Sequence, residues 1–180
     1  MKRTSSILVL AAMAALGISA LRASAATASA DVTGSMQQAK QTAYELSETA
    51  DRLHAITRSG GHSWQSHSWY LDSARADVNR LGKMLSELEG FQPAASDTQQ
   101  MGIARMRPHL VATADALTNA LDLLNERRHN VYFPEYQDAV EVVSEQSTSL
   151  HQNLDAVLQY ESAKARLEGL ELLPSGESGS

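Results

Sequence analysis

Apolar residues recur along the chain from Val32 onward at alternating steps of four and three, in four successive segments. This spacing places apolar side chains on one stripe of an α-helix, whereas a half-buried strand alternates every second residue. The pattern therefore predicts four amphipathic helices and an all-α protein. The stripes are Val32, Met36, Ala39, Ala43, Leu46, Ala50, Leu53 and Thr57 beside Ile56 in the first segment; Trp64, His67, Leu71, Ala74, Val78, Leu81, Leu85 and Leu88 in the second; Ile103, Met106, Leu110, Thr113, Leu117, Ala120 and Leu124 in the third; and Tyr136, Val140, Val143, Ser147, Leu150, Leu154 and Val157 in the fourth.

Capping residues mark where the predicted helices begin. Ser35 and Ser96 are each followed by a glutamine three residues later, which is the spacing of a capping box at the starts of helices one and three. Ser63 is a candidate N-cap for helix two. Pro134 suits the first turn of helix four, where its missing N–H costs nothing.

Short connections separate the helices: Gly60-Gly61, Gly90 to Pro93, and the cationic stretch Arg127 to Asn130. Neighbouring helices must then be antiparallel, so we predict an up-down-up-down four-helix bundle over residues 31–173, followed by a flexible tail at 174–180. Pro108 removes a backbone donor inside helix three and predicts a kink near it, between Ala104 and Arg107. An elongated dimer of helical hairpins buries the same stripes and stays open as an alternative.

Residues 1–30 have the layout of a secretory signal peptide. Lys2 and Arg3 precede an uncharged apolar run over 7–20, and small-residue sites follow that predict cleavage after Ala25 or Ala30. The apolar run is shorter than the roughly 20 residues of a bilayer span, and no later stretch approaches that length. We therefore expect an exported protein, periplasmic or secreted, without a stable membrane span.

Composition narrows the class of function. Beyond residue 30 the chain has 12 basic and 21 acidic residues, a net charge of −9, whereas nucleic-acid binding needs a basic face. The absence of cysteine excludes disulfides, thiolate metal sites and cysteine nucleophiles. Phosphate-binding loops, nucleophile elbows and dinucleotide fingerprints are also missing from the sequence, so we expect no enzymatic activity and no cofactor.

Chemistry-bearing residues concentrate at one end of the predicted bundle. We call the end that holds the connections between helices one and two and between helices three and four the upper end. Its residues are His54, His62, His67 and His129, together with Trp64, Trp69, Tyr70, Tyr132, Phe133 and Tyr136. The histidines could bind Zn, Cu or Ni. Alternatively, His67 is a semi-buried residue bonded to Tyr136 or a loop carbonyl, and the aromatic residues close the wide end of the bundle with their polar tips in water.

The opposite, lower end collects Met36, Met84, Met101 and Met106. Thioethers are soft ligands that favour Cu(I), but methionine also fills irregular gaps in a core. The four residues lie on three predicted helices and lack the tight M-x-x-M repeats of a copper carrier. Packing is therefore the favoured interpretation.

Two stretches give the chain a resemblance to a group of exported, all-helical proteins of soil-type bacteria. They are Ser63-Trp64-Gln65-Ser66-His67, which opens helix two, and Pro134-Glu135-Tyr136, which opens helix four. The resemblance implies an exported helical fold with a distinctive upper end. It implies no activity, and no catalytic residue is carried over.

The leading hypothesis is a non-enzymatic interaction or accessory protein that contacts an envelope or extracellular protein through Trp64, Trp69, Tyr70, Tyr132 and Tyr136. The alternative is a metal-binding bundle that uses His67 with His54, His62 or His129. A third possibility is a pH sensor, because histidine titrates near neutrality.

Overall fold

A computed structural model describes residues 8–60, 63–127 and 131–171, with side chains from residue 31 to residue 170 within these ranges. The described residues form four α-helices and no strand. The helices are α1 (Leu8–Ser59), α2 (Trp64–Gly90), α3 (Asp97–Glu126) and α4 (Pro134–Glu171), with a short 3-10 helix at Gln92–Ala94 between α2 and α3.

The helices pack as a closed ring. Helix α1 contacts α2 and α4, and α3 contacts the same two helices. Because consecutive helices are joined by short connections, this packing is the up-down-up-down antiparallel arrangement that the sequence predicts. The contact between α1 and α4 closes the core within a single chain.

The predicted stripes form the core. Every stripe residue named for the first, third and fourth segments is buried, apart from the half-buried Ile56 beside Thr57. On α2 the stripe is less regular. Trp64 and Val78 are only half-buried, while the carboxylate-bearing Asp77 is buried next to Val78. Burial of the four stripes against one another supplies the main stabilisation, since each helix alone leaves its stripe in water.

Three of the predicted helix starts are confirmed. The Ser96 hydroxyl accepts a hydrogen bond from the Gln99 backbone N–H at 3.1 Å, and the Gln99 side-chain oxygen accepts from the Ser96 N–H at 2.9 Å, which completes a capping box. Ser63 caps α2 through a bond of 3.4 Å from the Ser66 N–H, after a left-handed turn at Gly60 with φ 72°. Pro134 is the first residue of α4.

The predicted start of the first helix at Ser35 is wrong. Helix α1 continues upstream to Leu8, so the backbone around Ser35 already has intrahelical partners and needs no cap. Residues 8–34 contain no proline and are rich in Ala and Leu, which favour the helix. A single helix therefore passes through both predicted cleavage sites, and cleavage itself stays a prediction.

Pro108 lies inside α3 and does not end it, because α3 runs from Asp97 to Glu126. The kink near it stays a prediction. The predicted tail at 174–180 lies outside the described residues. Within the part of the chain that the structure describes, we find no helix that combines the length and the apolarity of a membrane span.

Candidate functional site

The upper end is built by the first turns of α2 and α4 and the last turn of α3. His67 lies four residues after the N-cap Ser63, on the buried stripe that continues to Leu71. Tyr136 lies two residues after Pro134 and begins the buried stripe of α4. The periodicity of the two helices thus points two polar rings from opposite chain segments into the same part of the core.

The two rings are joined by a hydrogen bond. His67 Nδ1 and the Tyr136 hydroxyl oxygen are 3.0 Å apart, and both side chains are 0% exposed. Which atom donates depends on the imidazole tautomer. Tyr136 is one of the two partners predicted for His67, but the ring is fully buried where the sequence predicted a semi-buried one.

Burial also changes the acidity of the phenol. The pKa of Tyr136 is raised well above its ordinary value of 10, mainly because the core disfavours the charged phenolate and secondarily because Tyr132 lies nearby. Tyr136 therefore remains a neutral phenol throughout the physiological range, where it can bond the imidazole without an uncompensated charge.

Further aromatic residues close the end of the bundle around this pair. The Tyr132 ring stands edge-on to the His67 ring, with centroids 5.8 Å apart and an interplanar angle of 82°. The Phe133 ring lies 5.8 Å from the Tyr136 ring. The guanidinium of Arg127 lies 4.7 Å from the Phe133 ring centroid, a cation–π contact. The helix periodicity does not predict this contact. The only signal for it in the sequence is a cation that ends α3 shortly before an aromatic residue.

Trp69 differs from these residues because it points outward. Its side chain is 62% exposed, whereas Trp64, Tyr70 and Tyr132 are partly buried against the core. The Tyr70 ring stands edge-on to the Trp69 indole, with centroids 4.8 Å apart and an interplanar angle of 81°. Of the five predicted partner-contacting residues, Trp69 is therefore the most accessible.

The prediction that Tyr136 contacts a partner is wrong. A side chain that is 0% exposed cannot touch a partner, so Tyr136 is not a contact residue. The physical reason is its place on the stripe of α4, where the helix periodicity directs it inward.

Two of the four histidines of the metal hypothesis lie among the described residues. His54 is half-buried, and Nδ1 of His67 is already bonded to Tyr136. His62 and His129 lie outside the described residues. Among the described residues no group of three or more His, Asp or Glu side chains has a geometry that could hold a metal ion, so the four-histidine site stays a prediction.

At the lower end the methionines separate by exposure. Met36 and Met106 are 0% exposed, and Met84 packs against the core at partial burial. Met101 is 55% exposed. Three of the four thus lie where methionine acts as a packing residue.

Helix α2 also buries a carboxylate that the predicted apolar stripe does not include. Asp77 is 6% exposed and accepts a hydrogen bond from Arg80, which also lies 3.5 Å from Glu45 on α1. The bond and charge of Asp77 raise the pKa of Arg80 further above its ordinary value. Arg80 links Asp77 of α2 to Glu45 of α1, and the Arg80 side chain is itself half-exposed to solvent.

Comparison of the chain with family models, with curated proteins and with solved structures finds no match. A function for this chain must therefore be inferred from its own geometry.

Proposed function

We propose that this is a non-enzymatic, exported helical-bundle protein that acts as an interaction or accessory module. It binds an envelope or extracellular protein through a surface centred on Trp69, with Trp64, Tyr70 and Tyr132 around it. The observation that carries the proposal is the 62% exposure of the Trp69 side chain on a bundle whose other tryptophan packs against the core.

An exposed indole is costly in water and valuable at an interface. Tryptophan buries one of the largest apolar areas of any side chain, and it is among the residues that dominate binding energy in protein interfaces. The edge-on contact with Tyr70 restricts the indole before a partner arrives. Less side-chain entropy is then lost on binding, which favours affinity.

The base beneath this surface is rigid. Two residues before Trp69 on the same helix, His67 faces the core and is bonded to Tyr136 of α4. This bond fixes the first turns of α2 against α4. Trp69 is consequently presented from a regular helix that is held on its inner side, which is the kind of support that a precise contact needs.

Charge indicates the chemistry of the partner. With the signal removed, the chain carries 12 basic and 21 acidic residues. An acidic bundle with an exposed indole fits a protein surface that offers an apolar socket with a basic rim. Electrostatic attraction of this kind raises the rate of encounter, while the indole provides the short-range contact.

The decisive experiment places a photo-crosslinking amino acid at position 69 in cells that export the protein. We expect covalent capture of one partner species, because the side chain at 69 enters the interface. The matched control places the same amino acid at Tyr44, an aromatic residue that is 45% exposed on the side of the bundle. We expect no defined product there.

The substitution Trp69→Ala then measures the contribution of the indole. Recovery of the captured partner in a pull-down should fall at least tenfold, as for a hot-spot residue, while the helical circular dichroism signal is unchanged. Equal recovery by a folded Trp69→Ala variant contradicts the proposal. Export is checked separately by N-terminal sequencing of the protein from the envelope fraction, where a start at Ala26 or Asp31 is expected.

A further inference from the structure

A groove runs between α2 and α3 in the lower half of the bundle. These two helices share the smallest contact of the four neighbouring pairs in the described ring. The groove has a volume of about 580 Å³, and its lining includes Val78, Gly82, Leu85, Leu110, Val111 and Ala114. Val111 is 52% exposed, and a methyl group built at Gly82 meets nothing within 4 Å. The groove is therefore open and mainly apolar.

A second apolar feature lies on α4 beyond the core. The buried stripe of α4 ends at Val157, and the positions that would continue its spacing are Glu161, Lys164 and Glu168. Apolar residues instead continue one position earlier in the helix, on a neighbouring face. This exposed stripe consists of Tyr160, Ala163, Leu167 and Leu170.

The exposed stripe has no partner within the described part of its own chain. Tyr160 is 56% exposed, and Leu167 and Leu170 are each 63% exposed. Helix α4 is continuous to Glu171, so the stripe projects from the lower end and cannot turn back into the groove of the same chain without breaking the helix. A second copy that approaches with its own lower end has no such restriction.

The two features match in length, and each carries charges of both signs. The stripe from residue 160 to residue 170 spans about 15 Å, and the groove along α2 from residue 78 to residue 89 spans about 16 Å. Both signs of charge border each feature: Lys83 and the Glu89–Arg107 ion pair at the groove, and Lys164 with Glu168 beside the stripe. Because both signs are present on each feature, an alignment of the stripe in the groove that sets opposite charges against each other is available.

We propose that the stripe on α4 of one copy docks in the α2–α3 groove of a second copy. Exchange about a two-fold axis makes the contact twice, which brings a short helix-in-groove contact toward the roughly 1,200 Å² of a stable interface. The resulting dimer is joined at the lower ends. Both Trp69 surfaces remain free, so this proposal does not depend on the proposed function.

The absence of native cysteine makes disulfide trapping a clean test. Val111→Cys and Leu167→Cys variants are purified separately, mixed and mildly oxidised. We expect a crosslinked species in the mixture and little in either variant alone. The control mixes Leu167→Cys with Ala76→Cys, an exposed position on α2 outside the groove lining, and should remain at background.

Each other outcome overturns the proposal. Crosslinking of Leu167→Cys with itself shows that two stripes pair with each other. Equal crosslinking at Ala76→Cys shows random collision, and no crosslinking in any mixture shows that the groove and the stripe do not meet.

Sedimentation equilibrium provides an independent measurement. We expect the unmodified protein to dimerise and Leu167→Glu with Leu170→Glu to raise the dimer dissociation constant at least tenfold. Ala165→Glu, an exposed change outside the stripe, should leave it unchanged. Gly82→Trp, which fills the groove, should act like the stripe variant, whereas Ala76→Trp should not. A protein that is monomeric at all concentrations refutes the proposal.

Discussion

At the scale of single residues, the unusual feature is a pair of polar rings in an aliphatic core. His67 and Tyr136 are both fully buried and are joined by a hydrogen bond of 3.0 Å between His67 Nδ1 and the Tyr136 hydroxyl. A buried hydrogen bond contributes modestly when it is made, but a buried polar atom deprived of its partner is expensive. The pair therefore specifies how α2 and α4 meet more than it adds to stability.

Replacing Tyr136 with Phe tests this role. The change removes the hydroxyl that bonds His67 and should lower the free energy of unfolding by about 1–2 kcal/mol. Urea denaturation followed by circular dichroism measures the loss. The matched control Tyr44→Phe alters an exposed ring and should change stability by no more than about 0.5 kcal/mol. Equal stabilities of the two variants would show that the buried bond contributes nothing specific.

The raised pKa of Tyr136 predicts a dependence on alkaline pH. The phenol titrates near 10 in the unfolded chain and higher in the folded protein, so above pH 10 the folded state binds more protons. Stability should therefore fall as the pH rises above 10, by up to about 1.4 kcal/mol per pH unit for this one group. Urea midpoints at pH 9, 10 and 11 measure the slope. Tyr136→Phe should fall less steeply, and parallel slopes would contradict the assignment.

At the scale of helices, close packing between α3 and α4 is set by one glycine. A methyl group at Gly102 would lie 2.7 Å from a Val157 methyl carbon, and the Gly102 carbonyl accepts a hydrogen bond of 3.0 Å from the Asn153 side chain. Val157 is β-branched, so its side chain cannot easily rotate away. Glycine is required here for close approach and has no special backbone conformation.

Gly102→Ala and Gly82→Ala form a matched pair that tests this packing. Both changes favour the helix by up to about 1 kcal/mol, but at Gly102 overpacking costs about 1–3 kcal/mol. We expect Gly82→Ala to raise the melting temperature and Gly102→Ala to lower it. A rise of similar size in both variants would show that α3 and α4 adjust freely around the added methyl group.

At the scale of the whole molecule, the described core begins close after the predicted signal. Val32 and Met36 are 0% exposed, and the Thr33 hydroxyl accepts a hydrogen bond of 3.0 Å from Gln99. The lower end of the bundle is thus completed by residues that directly follow the predicted cleavage sites, so processing there should leave the core whole.

Chains that begin at three positions test this boundary. Starts at Ala26 and Asp31 should unfold at the same urea concentration, because both retain Val32 and Met36. A start at Gln37 removes these two side chains and should lower the free energy of unfolding by at least about 3 kcal/mol. Equal stability of all three chains would place the edge of the core further along α1.

Much of the fold was predictable because helix periodicity is local. The steps of four and three identified most of the buried apolar positions, and serine caps marked the starts of α2 and α3. The start of α1 was not predictable in this way. A capping motif acts only where the helix would otherwise end, and the residues before Ser35 continue it.

The candidate site was predictable as a location but only partly in detail. The predicted topology placed the residues of the upper end close together. It did not show which of their aromatic side chains are buried and which are exposed. Tyr136 lies in the core and Trp69 in solvent because each position has a definite rotation about its helix relative to the neighbouring helices. Asp77 was missed for the same reason, since it lies beside the regular stripe.

The sequence by itself determined that the chain forms four helices, most of the residues that they bury, and that aromatic residues gather at one end, because spacing and connection length are encoded locally. Only the tertiary structure decided that His67 pairs with Tyr136, that Trp69 stays exposed, and that α2 and α3 leave a groove. Those outcomes depend on the rotation and separation of packed helices, which arise from the fit of all four stripes at once.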